Sequence, residues 1–365
     1  MGKNTRRRRR WPEVFCLPWG AARYGIVMFT VFIIQIAVPI PIGVSAQEAR
    51  YGLDPSRAIT EYVVQSWQKK EGLPQQSVQA IAQTPDGYLW IGTQEGLVRF
   101  DGMKFVVHNR HNTPVFKRNV MLAMCTSPDG SLWIAAYGSG IVRKQGAKFE
   151  TIISGDKLVD SRTTSMFFDS RGRLWIGSCG GVQVLDSAGI RTYTKAEGLS
   201  DNFVSSICED RWGGIWVGTE DGLNCLRGGK VTKYDARAVL ASNKITALCS
   251  GGAGRLWIGT ERGIGFFEKD KISPLTDGNR LVNRRIAALL EDSLGALWIG
   301  TIGGGLSRYA RGKISSLNHR NGLSDENVIA LCEDRGGSLW VGTSAGGLNQ
   351  ISSGPFRTYQ FGRTP

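Results

Sequence analysis

The chain has 365 residues, 41% of them hydrophobic and 21% charged, a balance that supports a substantial core and excludes an intrinsically disordered protein. Its formal net charge is +14, of which Lys3, Arg6 to Arg10 and Arg23 against Glu13 place +6 within residues 1–46. The remaining +8 is spread over the rest of the chain as a solvated surface without a clustered basic face, so nucleic acid is not an expected partner.

The amino-terminal stretch reads as an address. Residues 25–46 carry no charge, running from Ile26-Val27-Met28-Phe29 through Val31-Phe32-Ile33-Ile34 to Pro39, Pro41 and Val44-Ser45-Ala46. A basic n-region, an apolar h-region and a small-x-small exit describe a secretory signal over 1–46, cleaved after Ala46. The competing reading is an uncleaved membrane anchor, since roughly 20 apolar residues can span a bilayer. Either way the remainder is expected to be periplasmic or otherwise extracytoplasmic, and anchored at the inner membrane if the segment stays. Residues 47–58 read as a linker and 361–365 as a tail.

From 59 to 360 one unit repeats. Its anchors are Trp90, Trp133, Trp175, Trp216, Trp257, Trp298 and Trp340, separated by 43, 42, 41, 41, 41 and 42 residues, and a fixed period near forty means a repeat architecture. Three residues before each tryptophan stands a glycine: Gly87, Gly130, Gly172, Gly213, Gly254, Gly295 or Gly337. Polar surroundings such as Pro85-Asp86-Gly87 mark each as a hairpin turn. Upstream lies a short strand apolar on both faces, with Ile81, Met124, Met166, Ile207, Leu248, Leu289 and Leu331 in one column. After the tryptophan come a glycine-rich break such as Glu95-Gly96, a third strand such as Leu97-Val98-Arg99-Phe100, a second turn such as Gly228-Gly229 and a fourth strand such as Lys230 to Tyr234. Four antiparallel strands per unit make a propeller blade, so the expected fold is all-β, a single seven-bladed β-propeller. Residues Ile59 to Trp67 read as an outer strand without the rest of its blade, expected to complete blade seven beside Leu348 to Ile351. Phe356 to Tyr359 looks like a further outer strand, one too many.

These repeats resemble the two-component regulator propeller family, whose hallmark is a turn glycine followed by Leu-Trp-Ile-Gly-Thr and then Gly-Leu. The resemblance covers about Tyr62 to Tyr359, and Ser66-Trp67-Gln68-Lys69-Lys70-Glu71-Gly72-Leu73-Pro74 is close to the way members begin. Blade two departs at Ala135-Ala136 and blade three at Ser178. The resemblance implies the periplasmic sensor of a hybrid histidine kinase or a diguanylate cyclase, with a second propeller or a kinase as partner. This sequence holds no kinase histidine motif and no nucleotide-binding glycine loop, so output chemistry is not expected of it, and neither is a cofactor.

Within the ring, the tryptophan column reads as structural, packing blade on blade. Cys125, Cys208, Cys249 and Cys332 share one column of the inner strand and read as small unpaired fillers rather than disulfides. His108 and His111 fall on an outer strand and its turn, which suits an edge pair better than a metal site.

Fourteen residues before each tryptophan stand Gln76, Asn119, Ser161, Asn202, Asn243, Arg284 and Glu326, polar in every blade. With Arg162 and the loop carboxylates Glu95, Glu220 and Glu261 they would ring the channel mouth, a site for an uncharged or anionic small ligand, a saccharide being the candidate. The plain alternative is that loops are polar because their backbone must stay solvated. Two other functions stay open: an exported propeller lyase or lactonase, disfavoured because no histidine maps to the channel, and a scaffold without a small ligand.

Overall fold

The computed structural model describes residues 52–354. They form seven four-stranded antiparallel sheets, each built from consecutive strands except the last. Blade one comprises Val78–Gln83, Leu89–Thr93, Gly96–Phe100 and Phe105–His108. The first strands of successive blades touch, and Val328–Glu333 of blade seven touches Val78–Gln83, which closes the ring.

Closure uses the expected strand. Val63–Trp67 pairs antiparallel with Leu348–Ser352, Val63 opposite Ser352 and Trp67 opposite Leu348, so the amino-terminal strand becomes the outer strand of blade seven. Residues Ile59–Glu61 are a single 3-10 turn rather than part of that strand. The signal or anchor segment and Phe356 to Tyr359 lie outside the described residues. Among the described residues no helix is long and apolar enough to cross a membrane.

The repeated residues have repeated physical reasons. All seven turn glycines adopt φ between 73° and 90°, the left-handed region a side chain disfavours. Where the motif glycine follows the tryptophan by two, the next blade approaches closely: a Cβ on Gly218 would sit 2.5 Å from Ile245, and one on Gly342 2.6 Å from Val78. The threonine hydroxyl after it closes the second turn, as from Thr219 to the Gly222 carbonyl at 2.8 Å. Ser178, where blade three departs from the motif, makes the same bond at 3.0 Å. Ala136 cannot, yet Ala135 and Ala136 are buried and the ladder keeps its register across them.

The tryptophans are core, all 9% exposed or less. Each indole N–H needs an acceptor, and a column six residues upstream supplies most of them. Asp169, Asp210, Asp292 and Asp334 accept from Trp175, Trp216, Trp298 and Trp340 at 2.7–2.8 Å, while their other oxygen caps the turn, as Asp292 does for Leu294 and Ala296. Thr84 serves Trp90 at 2.9 Å. Blade five has Gly251 in this column, and Glu291 of blade six reaches back to Trp257 at 2.5 Å and to the Gly252 amide. Blade two has Ser127, and the Trp133 N–H has no acceptor among the described residues.

The seventh residue upstream stitches blades together. Glu209 accepts from Ser170, Glu333 from Ser293 and Gln83 from the Arg335 amide, each bond crossing from one blade to the turn of the preceding one. Blades two and three carry Thr126 and Phe168 there, and the turns they face begin with Pro85 and Pro128, which have no N–H to offer. Donor and acceptor are missing together.

Residues 52–58, expected as a linker, are a docked strap. Leu53, Ile59 and Tyr62 are buried with Trp298, Leu306 and Leu317. The buried Arg308 donates to the Arg57 carbonyl at 2.6 Å and to the Tyr62 hydroxyl, which in turn donates to the Asp54 carbonyl. Ser353 donates to the Gly52 carbonyl at 2.9 Å, so the two ends of the described chain meet. Apolar side chains in this segment, too few to show a period, bury it where a polar linker would stay solvated.

Candidate functional site at the channel mouth

The loops entering each first strand and those joining second to third strands share one face. A repeated backbone bond ties them: Tyr137, Cys179, Glu220, Ile302 and Ser344 donate to the carbonyls of Val120, Arg162, Phe203, Arg285 and Asn327 at 2.9–3.3 Å. In blades six and seven the bond also reaches the next blade, where the Glu326 and Gln76 carbonyls accept from Gly305 and Gly347.

On this face, between blades four and five, lies a recess of about 470 Å³ lined by Glu220, Arg237, Ala241, Ser242, Asn243, Lys244, Glu261 and Arg262. Its wall is three crossed ion pairs. Lys244 meets Glu220 at 2.8 Å, Arg237 meets Asp221 at 3.0 Å and Arg262 meets Glu261 at 3.8 Å. Ser242 adds a 3.5 Å contact to Glu261. All these partners are at least a third exposed, so each pair is weakly held and exchangeable.

Blade five owes this shape to a local departure. Blades one, four and seven enter their first strands through Gly72-Leu73, Gly198-Leu199 and Gly322-Leu323, with each glycine at positive φ. Blade five has Val239-Leu240, and the chain instead turns through Arg237–Leu240, the one α-helix among the described residues, leaving at Ala241 with φ 57°. Leu240 keeps the buried position while Arg237 is lifted to the rim.

The expected mouth residues divide. Asn243, Glu220 and Glu261 come together in the recess. Asn119, Asn202 and Asn243 each accept from a backbone amide of their own incoming loop, those of Arg110, Lys195 and Ala236, at 2.8–3.1 Å. Their polarity therefore pins loops, and Asn243 alone of the three also reaches across, to Asp221 at 2.8 Å. Gln76 contacts Gln68 at 3.4 Å. Arg162 is held by Asp160 in a two-point bond that raises its pKa further and lowers that of the carboxyl. Glu95 and Arg284 are exposed and outside the recess. Arg237 and Ser242 are functional candidates that the column reading missed; the signal was the absent glycine before Leu240.

Elsewhere on the mouth face, Tyr137 lies under the Arg118 guanidinium at 5.5 Å, and the half-buried Cys179 thiol has its pKa pushed up by burial, with Arg162 pulling the other way. All six described cysteines are free. Burial pushes Cys249 and Cys332 up to about 12, which suits packing rather than reactivity. His111 and His319 sit on the mouth face at the outer starts of incoming loops, and neither lines the recess. No group of three or more His, Cys, Asp or Glu among the described residues could hold a metal.

Seven closed blades with loops gathered at one mouth define a seven-bladed β-propeller. Residues 72–95, 157–180, 198–221, 239–262, 280–303 and 322–345 match the two component regulator propeller family model. Six of the seven units of the ring thus match two-component regulator propeller repeats; the unit around Trp133 lies outside these matches. Among solved structures, the chain is similar to the extracellular domain of the putative hybrid two component system BT3049 from B. thetaiotaomicron, at 23% identity and TM-score 0.70, over 80% of this chain and 42% of that one. The corresponding domain of BT4673 matches at 19% identity and TM-score 0.65, over 80% and 39%. The chain thus spans about two-fifths of the length of these relatives. Virginiamycin B lyase from Staphylococcus aureus is similar at 14% identity and TM-score 0.61, over 80% and 98%. These likenesses show the fold. No curated protein matches the sequence.

Proposed function

We propose that this chain is the extracytoplasmic sensor propeller of a two-component receptor and that its ligand is a small polar molecule, a saccharide, taken at the recess between blades four and five. The observation that carries the reading is the set of exchangeable ion pairs around a cavity of monosaccharide-to-disaccharide scale, formed where one blade departs from its repeat. A ligand with several hydroxyls replaces bonds from Arg237, Asp221, Glu261 and Arg262 without burying an unpaired charge. Binding there bridges blades four and five, so a difference in affinity between two packings of that joint shifts their populations. A second propeller or a histidine kinase reads the shift. The similarity to extracellular domains of two-component systems supports both the role and an exported location.

The test is a thermal-shift screen of the exported chain against neutral sugars and uronates, followed by calorimetry on any hit. Arg237→Ala and Glu261→Gln should each weaken binding at least tenfold while Glu95→Gln leaves it unchanged. A hit indifferent to both substitutions would remove the recess from consideration. A propeller lyase is the second reading, favoured by the match along nearly the whole of virginiamycin B lyase; turnover of a cyclic ester or lactone by the purified chain would establish it. A chain that binds no tested sugar but retains a protein partner from its own operon would be a scaffold.

A further inference from the structure

The chain contains three histidines, and one of them occupies an unusual position in a joint between blades. His108 ends the outer strand of blade one, half-buried, with the Trp90 ring 5.8 Å away on one side and Phe149 of blade two 5.1 Å away on the other. Phe149 packs edge-on against Phe116 at 5.7 Å, so an unbroken aromatic column crosses from one blade to the next. The Trp90 ring also carries the Lys144 ammonium, 4.6 Å from its centroid.

Neutral imidazole suits this column and imidazolium does not. The charged form has two N–H donors, but Nε2 is buried with no partner among the described residues, and Nδ1 has only the Thr113 hydroxyl at 3.4 Å. The charges that act on the ring are both cations: Arg99 from the third strand of blade one and Lys144 from the third strand of blade two. Glu150, the next residue after Phe149, is committed to Arg143 and Lys148, and Asp86 acts on Lys144 rather than on the ring. The indole whose π system would attract an imidazolium already holds an ammonium.

The same joint lacks one of the two polar devices that hold blades together. No carboxylate stitch crosses it, since Thr126 faces Pro85, and a recess of about 200 Å³ lined by Asp86, Gly130 and Lys144 opens between turns of the two blades. We infer that the joint between blades one and two is an acid-responsive hinge in the ring, loosened when His108 takes up a proton. On the function proposed above, the sensor thereby acquires a proton input at a joint other than the one that holds the recess.

The direction of the coupling follows from linkage. Burial first, then Arg99 and Lys144, hold the His108 pKa below its ordinary 6.5, so the opened joint binds the proton more readily than the closed one. Closure is at full strength above about pH 6.5 and weakens as pH falls from there toward the depressed value, tenfold for each unit of depression.

The measurement is hydrogen exchange of the exported chain at pH 7.5 and 5.0, expressed as protection after correction for intrinsic rates. Peptides covering 105–108 and 148–153 should lose protection several-fold at pH 5.0 while the blade six strand 297–301 does not. His108→Phe should abolish that response, with His108→Gln as the substitute if the phenylalanine variant does not fold. Lys144→Met should move the midpoint to higher pH. With three histidines, nuclear magnetic resonance titration of the imidazoles reports His108 directly, identified by its loss in the variant. An unchanged protection in the wild type, the same response in His108→Phe, or a His108 titration at or above 6.5 overturns the inference.

Discussion

The joint between blades six and seven and the joint between blades one and two share one backbone and differ in what fills it. In the first, Asp292 receives the Trp298 indole, Glu333 reaches back to Ser293, and the strap held by Arg308 covers the outer side. In the second, the Trp90 indole has the Thr84 hydroxyl in place of a carboxylate, Pro85 replaces the amide donor, and cations and aromatic rings occupy the space. The difference teaches that the repeat specifies geometry through its glycines and tryptophans, while cohesion between blades is set by two polar columns free to lapse. A ring tolerates a lapse at one joint because the other joints keep it closed.

The comparison breaks most sharply at the tryptophan. Trp298→Ala removes a fully buried side chain and orphans Asp292, with an expected loss of about 3–5 kcal/mol; Trp133→Ala should fall at the lower end, having no indole bond to lose. Urea unfolding of both variants would show whether the joint between blades six and seven and the one between blades two and three, where Trp133 packs, differ in this order. Arg308→Ala strips the strap of its charge-assisted bonds, an expected cost of about 2 kcal/mol. Limited proteolysis should then cut within 52–62 well before the ring, and a strap that stays protected would count against its dependence on Arg308.

The contrast can also be narrowed. Transplanting the missing acceptor into blade two with Ser127→Asp and Asp129→Ser gives Trp133 the bond its counterparts make, for an expected gain of about 1 kcal/mol. Ser127→Asp alone should gain less, because Asp129 would lie beside the new carboxylate. The smallest effect is one of sign with pH. Burial raises the Asp292 and Glu333 carboxyls, so these two favour the folded state more as pH falls through their raised values. Asp129 and Asp160, lowered chiefly by hydrogen bonds from Ser127 and Arg162, lose their contribution as pH falls below about 4. Asp292→Asn should therefore remove a stabilisation on mild acidification, visible in melting curves between pH 6 and 4.

Most of the architecture was legible because each blade repeats the same constraint, and seven copies turn a weak local signal into a register. Gly87 and its equivalents read as turns because only positive φ serves there, and Trp67 read as the closing strand by its fixed distance from Gly72-Leu73. The site was less legible. A polar column such as Asn119, Asn202 and Asn243 looks the same whether it faces a ligand or pins its own loop, and the distinction lies in backbone amides that no side-chain pattern reveals. The Asp292 column was visible but read only as turn chemistry, because its second oxygen acts on a residue six positions away. Leu53 lacked any repeat to align with, and the strap over 52–58 passed as a linker.

The pairing of Trp67 with Leu348 also orders events in time. A chain threaded outward from its amino end delivers Val63–Trp67 first and its partner last, so an unpaired strand with an indole on it must persist while six blades assemble. Until Leu348–Ser352 arrives, that strand is a template for any other exposed edge. The ring therefore completes late and over a long sequence separation.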